Sequence, residues 1–292
     1  MMTADLHLHS NFSDGTFTPE EIATRAHAAN LTAIALTDHD SVEGCERAAV
    51  ACKAVEVEFI TGTELTAEHS GNELHLLGYF LDTGNQRLLT EIAKFQVVRQ
   101  NRIYEMVAEI NKLGIPLKAA DVFALANCKS PGRPHVARAM VNAGLIGSLD
   151  EAFERFLKKG RPAWVPKKKM SAAVAIELVH QAGGLAVMAH PGLNRTDSVI
   201  PNLVESGLDG IECFHTKHSH AVSAHYLEIA EKHNLLVTGG SDCHGMSKGK
   251  PLIGTVRLDY DHVEKLYAAR DARRNANTAA AQPAKAQKAG VR

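Results

Sequence analysis

The chain has 292 residues, 45% hydrophobic and 22% charged, with a net charge of −1. That suits a large core built as one α/β domain or as a domain with an insert. No stretch approaches the roughly 18 to 20 consecutive apolar residues of a membrane span, and the run from Ala4 to Leu8 is too short and too histidine-rich for a signal peptide. The 5 cysteines include no C-x-x-C pair, which argues against a disulfide framework or a cysteine zinc site and for a reducing cytoplasm. The 16 histidines are the compositional oddity, and imidazole is the commonest metal ligand.

In chain order, short apolar runs alternate with helix-like segments, which predicts βα units around a parallel sheet. Strands are expected over 4–9, 33–38, 57–64, 73–80, 185–190, 210–214, 235–241 and 253–258. Thr18, Pro19 and Glu21 spell an N-cap, a first-turn proline and a capping box, so a helix should run from there to Asn30. Asp40 with Glu43 reads as a cap for the next helix. After Phe80 the alternation stops. Leu89, Ile92, Phe95, Val98, Ile103, Met106, Val107 and Ile110 fall at helical spacing, and shorter helices should follow over 134–143 and 150–158. Between Arg99 and Lys169, fourteen Lys and Arg stand against six Asp and Glu, a local excess of +8 that leaves −9 elsewhere. The expected organisation is a body of residues 1–85 and 170–270, a basic helical insertion over 86–169 that covers the substrate side, and a disordered tail over 271–292.

Placed on these strands, the polar residues form a pattern. His7 and His9 alternate onto one face of the first strand, and Asp14 follows in the loop. His39, Glu64 and His75 end or occupy the next three strands. His190 ends the fifth, and Asp242 and His244 end the seventh. In α/β barrels such strand ends converge on one mouth. Nine sulfur-free ligands exceed what one ion takes and suit two or three ions of zinc, manganese or iron. Gly245 to Lys250 fails as a P-loop, and no H-E-x-x-H, G-x-S-x-G or G-x-G-x-x-G motif is present.

The segments DLHLHSNFSDGT, ALTDHDS, GTEL, HLLGY, AHPG and GSDCHG together resemble the PHP (polymerase and histidinol phosphatase) family, in order across nearly the whole chain. SPGRPHVARAMV and GRPAWVP resemble its bacterial stand-alone branch of 3',5'-nucleoside bisphosphate phosphatases and 5'-to-3' RNA-trimming enzymes. The resemblance implies a distorted (β/α)7 TIM-like barrel with a helical insertion and three divalent metals, manganese first, with zinc or iron as alternatives. It implies one ion on His7, His9, Glu64 and Asp242, a second on Glu64, His75 and His190, and a third on Asp14, His39 and His244. Asp14 stands where histidinol phosphatases often carry His, which argues against histidinol phosphate.

The expected function is hydrolysis of a nucleotide phosphomonoester by a metal-held hydroxide, foremost the 3'-phosphate of nucleoside 3',5'-bisphosphates such as adenosine 3',5'-bisphosphate. Asp242, Glu64 and His190 are the expected catalytic residues. Asp242 would take or position the water's proton, while His215, His218 and a bound water stay open as leaving-group acid. Arg99, Arg102, Arg133, Pro134, His135 and His218 are the expected substrate contacts. Alternatives are a 5'-to-3' exonuclease on short RNA, a non-catalytic metal-bound domain and C–N bond hydrolysis. No membrane and no obligate protein partner is expected.

Overall fold

The computed structural model describes residues 2–167, 169–194 and 197–281. The first half runs β1 (Thr3–Leu8), α1 (Pro19–Ala28), β2 (Ala33–Leu36), α2 (Cys45–Ala54), β3 (Glu58–His69) and β4 (Asn72–Tyr79). Next come α3 (Gln86–Lys112), α4 (Ala119–Ala126), α5 (Arg133–Asn142) and α6 (Leu149–Ala152), which runs into a π-helical turn (Phe153–Leu157). The remainder is β5 (Met170–Ser171), α7 (Ala172–Gln181), β6 (Leu185–Met188), α8 (Pro191–Asn194), α9 (Ile200–Glu205), β7 (Gly210–His215), α10 (His220–Lys232), β8 (Leu236–Gly240), β9 (Leu258–Asp259) and α11 (Tyr260–Ala281).

The strands form one sheet in the order β8-β7-β6-β4-β3-β2-β1-β9, with β5 beside β3. A bridge between Leu8 and Cys243 returns the end of β8 to β1, so the sheet nearly closes into a barrel. Gly240 permits that closure, because a Cβ there would lie 2.3 Å from the Cβ of His7. Inside, the fully buried Tyr79 donates its hydroxyl to the Leu6 carbonyl at 2.9 Å.

The barrel is distorted at β4, which pairs antiparallel with both β3 and β6, whereas β1–β2–β3 and β6–β7–β8 are parallel. The pure βα alternation read from the sequence therefore breaks here. Ser70 and Gly71, both at positive φ, make a two-residue hairpin turn where a crossover was expected.

The predicted cap of α1 is present, with Thr18 and Glu21 bonded reciprocally. Asp40 does not cap α2, which starts at Cys45 behind Gly44. Its buried carboxylate instead receives Arg99 Nε at 2.7 Å and the Thr66 N–H at 3.1 Å. A buried guanidinium pair outweighs a solvent-facing cap. Of the strand expected over 253–258, Leu258 alone falls in β9. Gly254 turns at positive φ and donates its N–H to Asp5.

The 27 residues of α3 span about 40 Å. Leu88, Ile92 and Phe95 at its start join the barrel core, and Ile103, Met106, Val107 and Ile110 join a second core with α4, α5 and α6. Ser171 and Met170 then pair with β3 and bring the chain back to the barrel. Residues 271–281 correct the expectation of a disordered tail, because they continue α11. Alanine-rich sequence favours helix, and Arg273 pairs with Asp209 at the foot of β7. Val263 and Leu266 of α11 pack with Ala4, Leu6 and Ala33 at the end of the barrel where those strands begin. Residues 282–292 of the expected tail lie outside the described residues.

Candidate metal centre

The opposite end of the barrel collects the histidines. Strand alternation turns Leu6 and Leu8 into packing, and His7 and His9 are fully buried beside them. The loop carrying His9 and Asp14 is shaped by Asp38, which accepts the Ser10 N–H (2.8 Å) and the Ser10 and Ser13 hydroxyls (2.6 and 2.5 Å). His190 and Asp242 each lie two residues past a strand, after β6 and β8, at φ of 28° and 52°, left-handed conformations that side chains other than glycine rarely adopt. Such strain is tolerated where the surroundings over-determine it, commonly at functional sites.

Glu64 is the hub. Its Oε2 lies 2.9 Å from His39 Nδ1, 3.3 Å from His9 Nε2 and 3.5 Å from His7 Nε2. Its Oε1 lies 2.7 Å from His75 Nδ1 and 3.0 Å from His190 Nε2. Asp242 Oδ1 reaches His9 at 3.3 Å and His244 at 3.4 Å, and Asp14 Oδ1 reaches His244 Nε2 at 3.2 Å.

Four groups of donor atoms converge within 4.8 Å: His9–Asp14–His39–His244, His7–Glu64–His190, His7–His9–Asp242 and His39–Glu64–His75. Every one of the nine sequence-expected ligands falls in at least one group. His9 sits with Asp14, His39 and His244 as well as with His7, so the groups overlap more than the three ligand sets implied by the resemblance, which share Glu64 alone.

The donor set fits divalent cations. His7 Nε2, both His9 nitrogens, Asp14 Oδ1, His39 Nδ1, Glu64 Oε2 and His75 Nδ1 are buried without a hydrogen-bond partner. Buried polar atoms are otherwise almost always paired. The charges agree. At His9, burial opposes the cation but Asp242 and Glu64 outweigh it and push the pKa up to about 9. At His39 burial prevails over Glu64 and Asp14, and the pKa falls to about 4.

A family model for the PHP domain matches residues 5–110. The chain is 34% identical to a 5'-3' exoribonuclease of Haemophilus influenzae, covering 82% of this chain and 89% of that one. It is 32% identical to a 3',5'-nucleoside bisphosphate phosphatase of Chromobacterium violaceum, covering 87% and 91%. A proposed metal-dependent phosphoesterase from Bifidobacterium adolescentis superposes with a TM-score of 0.85 at 32% identity, over 91% and 96% of the two chains. The chain belongs to the PHP family. With these relatives it is a hydrolase of phosphate esters.

Around the PHP centre lie two joined concavities. A basin of about 360 Å³ exposes Glu64, His190, Asp242 and His244, with Leu193 and Lys217 on its rim. Beside it a pocket of about 90 Å³ is lined by Arg99, Arg102, Arg133, Pro134, Trp164 and Lys167, and it shares His39, Glu73, His75 and Arg133 with the basin. Arg99 is held by Asp40, and Arg102 donates to the Val165 carbonyl at 2.9 Å, so both heads are pre-positioned. Burial and the neighbouring Arg133 and Arg99 push Arg102 down to about 10, and burial with Arg99 pushes Lys167 down to about 7. This pocket holds more positive charge than its own carboxylates balance.

Two expected substrate contacts lie elsewhere. His135 is buried at the start of α5, where its Nδ1 accepts the Gly132 N–H at 3.0 Å, and it lines neither concavity. Its spacing from Gly132 is a helix-capping signal. His218 also lies outside both, stacked on Tyr226 with Nδ1 bonded to the Cys213 carbonyl. Of the two histidines left open as leaving-group acid, His215 is the one at the centre, its Nε2 3.5 Å from Asp242 Oδ2.

Sequence reasoning missed Glu212, fully buried on β7. Its carboxylate takes His7 Nδ1 at 3.0 Å and the His190 N–H at 2.7 Å, orienting two of the histidines. A lone Glu between Ile211 and Cys213 in an apolar strand was the available signal. Among the described residues no helix is long and apolar enough to cross a membrane.

Proposed function

We propose that this PHP protein hydrolyses the 3'-phosphate of nucleoside 3',5'-bisphosphates, with three divalent ions, manganese first, held by the nine clustered ligands. The observation that carries this reading is the arginine pocket joined to the ligand basin through His39, Glu73, His75 and Arg133. A substrate with two phosphates about one sugar apart matches two joined sites, one built of acids and imidazoles for cations and one built of guanidinium groups for an anion.

Bound divalent ions neutralise phosphoryl oxygens and acidify water. The chain's own groups do the rest. Asp242 accepts a proton at its carboxylate, and His215 Nε2, 3.5 Å from Asp242 Oδ2, holds that carboxylate in place from behind. Glu64 and His190 hold the ligand cage at the centre of the basin. Arg99, Arg102, Arg133 and Lys167 bind the second phosphate, and Pro134 shapes the wall beside them. Five free cysteines suit a reducing cytoplasm.

Phosphate release with added manganese from 3',5'-bisphosphates, 5'-monophosphates and histidinol phosphate tests the reading, and no turnover of the bisphosphates would sink it. Arg133→Ala should lower kcat/KM on a bisphosphate by roughly 10- to 100-fold, the worth of a hydrogen bond to a charged group. A nucleoside 3'-monophosphate, lacking the clamped group, should lose several-fold less, the remaining loss reflecting the place of Arg133 on the basin wall. Equal losses on both would remove the clamp from the account. Trimming of short RNA is the second reading, supported by the Haemophilus influenzae relative.

A further inference from the structure

Beyond the basin lies a third concavity of about 480 Å³, lined by Gly192, Asp197, Lys217, Ala221, Val222, His225 and Tyr226. It shares Lys217 with the basin, and Leu193 of the basin follows Gly192 of the groove. It shares no residue with the arginine pocket. The groove therefore adjoins the ligand basin and not the arginine pocket.

The groove differs in chemistry from its neighbours. Ala221, Val222 and the Tyr226 and His225 rings give it an apolar and aromatic character. Its wall is fixed, because Asp197 accepts the Tyr226 hydroxyl at 2.8 Å and pairs with His225 Nε2 at 2.6 Å. At the joint with the basin, Leu193 is 40% exposed, and the exposed Lys217 makes no ion pair among the described residues. An unpaired ammonium beside an apolar, ring-edged groove suits a phosphate followed by a nucleoside.

We propose that this groove binds the nucleoside esterified to the far side of the scissile phosphate, with Lys217 beside that phosphate. The proposal rests on the phosphoesterase reading and extends it. A nucleoside bisphosphate occupies only the arginine pocket and the basin, whereas a 5'-phosphorylated dinucleotide occupies all three sites. In the diester reaction the water oxygen bonds to phosphorus and the bond from phosphorus to the first nucleoside's 3' oxygen breaks. That oxygen takes a proton, and a 5'-monophosphate leaves. The shortened strand keeps the phosphate as its new 5' end, the group the arginine pocket accepts.

The test compares three esters on the manganese-loaded protein: an adenosine 3',5'-bisphosphate, a 5'-phosphorylated diadenosine and the same dinucleotide with an abasic second ribose. The wild type should cleave the dinucleotide, and loss of the second base should lower kcat/KM by about tenfold or more, the worth of one stacked base. Ala221→Trp fills the groove from an exposed position. It should lower dinucleotide cleavage to a similar extent while bisphosphate hydrolysis stays within about twofold. Equal rates on the intact and abasic dinucleotides overturn the proposal, as does an Ala221→Trp variant that loses both activities in parallel with unchanged thermal stability. Cleavage of the dinucleotide without the bisphosphate would remove the phosphatase reading and leave the groove to be judged on the abasic comparison. Turnover of neither ester would overturn both.

Discussion

At the scale of single residues, Glu64 and Glu212 show how one carboxylate type serves two ends. Glu64 meets five imidazoles in the interior of the cluster, and its pKa lies well below the usual range because His39, His75 and His7 outweigh the cost of burial. Glu212 touches none of the space between the ligands. It grips His7 at the far ring nitrogen, which leaves Nε2 to face inward with its lone pair available. Glu212→Gln should therefore weaken manganese binding by roughly 10- to 100-fold without removing any ligand. Calorimetric titration of the metal-free protein would show it, and an unchanged affinity would mean that packing alone orients His7. The same scale shows why the sequence reading placed the nine ligands and missed Glu212. Alternation along β1 says that His7 and His9 share a side, but nothing local says which carboxylate crosses the barrel to meet them.

At the scale of elements, α5 illustrates how a candidate binding residue became a structural one. His135 sits three residues after Gly132, and its ring closes the first turn of the helix. Burial and the nearby Arg138 push its pKa down to about 4 from an ordinary value near 6.5. The unfolded chain therefore binds a proton between pH 6.5 and 4 that the folded chain refuses, so stability is full above that window and falls as pH drops through it. The loss from this group is on the order of 3 kcal/mol at its full extent. Thermal melts at about pH 7 and about pH 5, on either side of the upper edge of that window, check it: His135→Gln, which keeps an acceptor in the capping position, should narrow the difference between the two. An unaltered difference would assign the acid sensitivity to other groups. Elsewhere the periodic elements were legible, α3 above all, because its apolar stripe recurs along the whole length. The β3–β4 hairpin was not, since both strands of a hairpin and both strands of a βα unit carry the same apolar signature.

At the scale of the molecule, the ligands are drawn from β1, β3, β4 and the loops after β1, β2, β6 and β8, so the cluster spans the circumference of the barrel. Bound cations would tie these strands together at one end while α11 covers the other. Chelation should lower the melting temperature and manganese should restore it. At a concentration of a thousand dissociation constants, binding to the folded state alone contributes about 4 kcal/mol. A chelator that leaves the melting curve unmoved would show that the barrel closes independently of its metals. The charge map agrees with this division. The acidic body carries the ligand cluster, and the basic insertion supplies Arg99, Arg102, Arg133 and Lys167 to the adjoining pocket.

The order of residues by itself determined the family, the strand ends that carry His7 through His244, and the helical insertion with its positive charge. Each of these is written in spacing, period or motif, which local physics reads directly. Tertiary structure alone decided that β4 runs antiparallel, that Asp40 holds Arg99, that His135 caps a helix and that His215 stands behind Asp242. It also set the third concavity against the ligand basin, through Lys217, and not against the arginine pocket. These depend on sheet register and on which groups meet across the fold, over separations such as the 249 residues between Asp5 and Gly254. Local patterning sets which face a side chain takes. Only barrel closure sets what it faces.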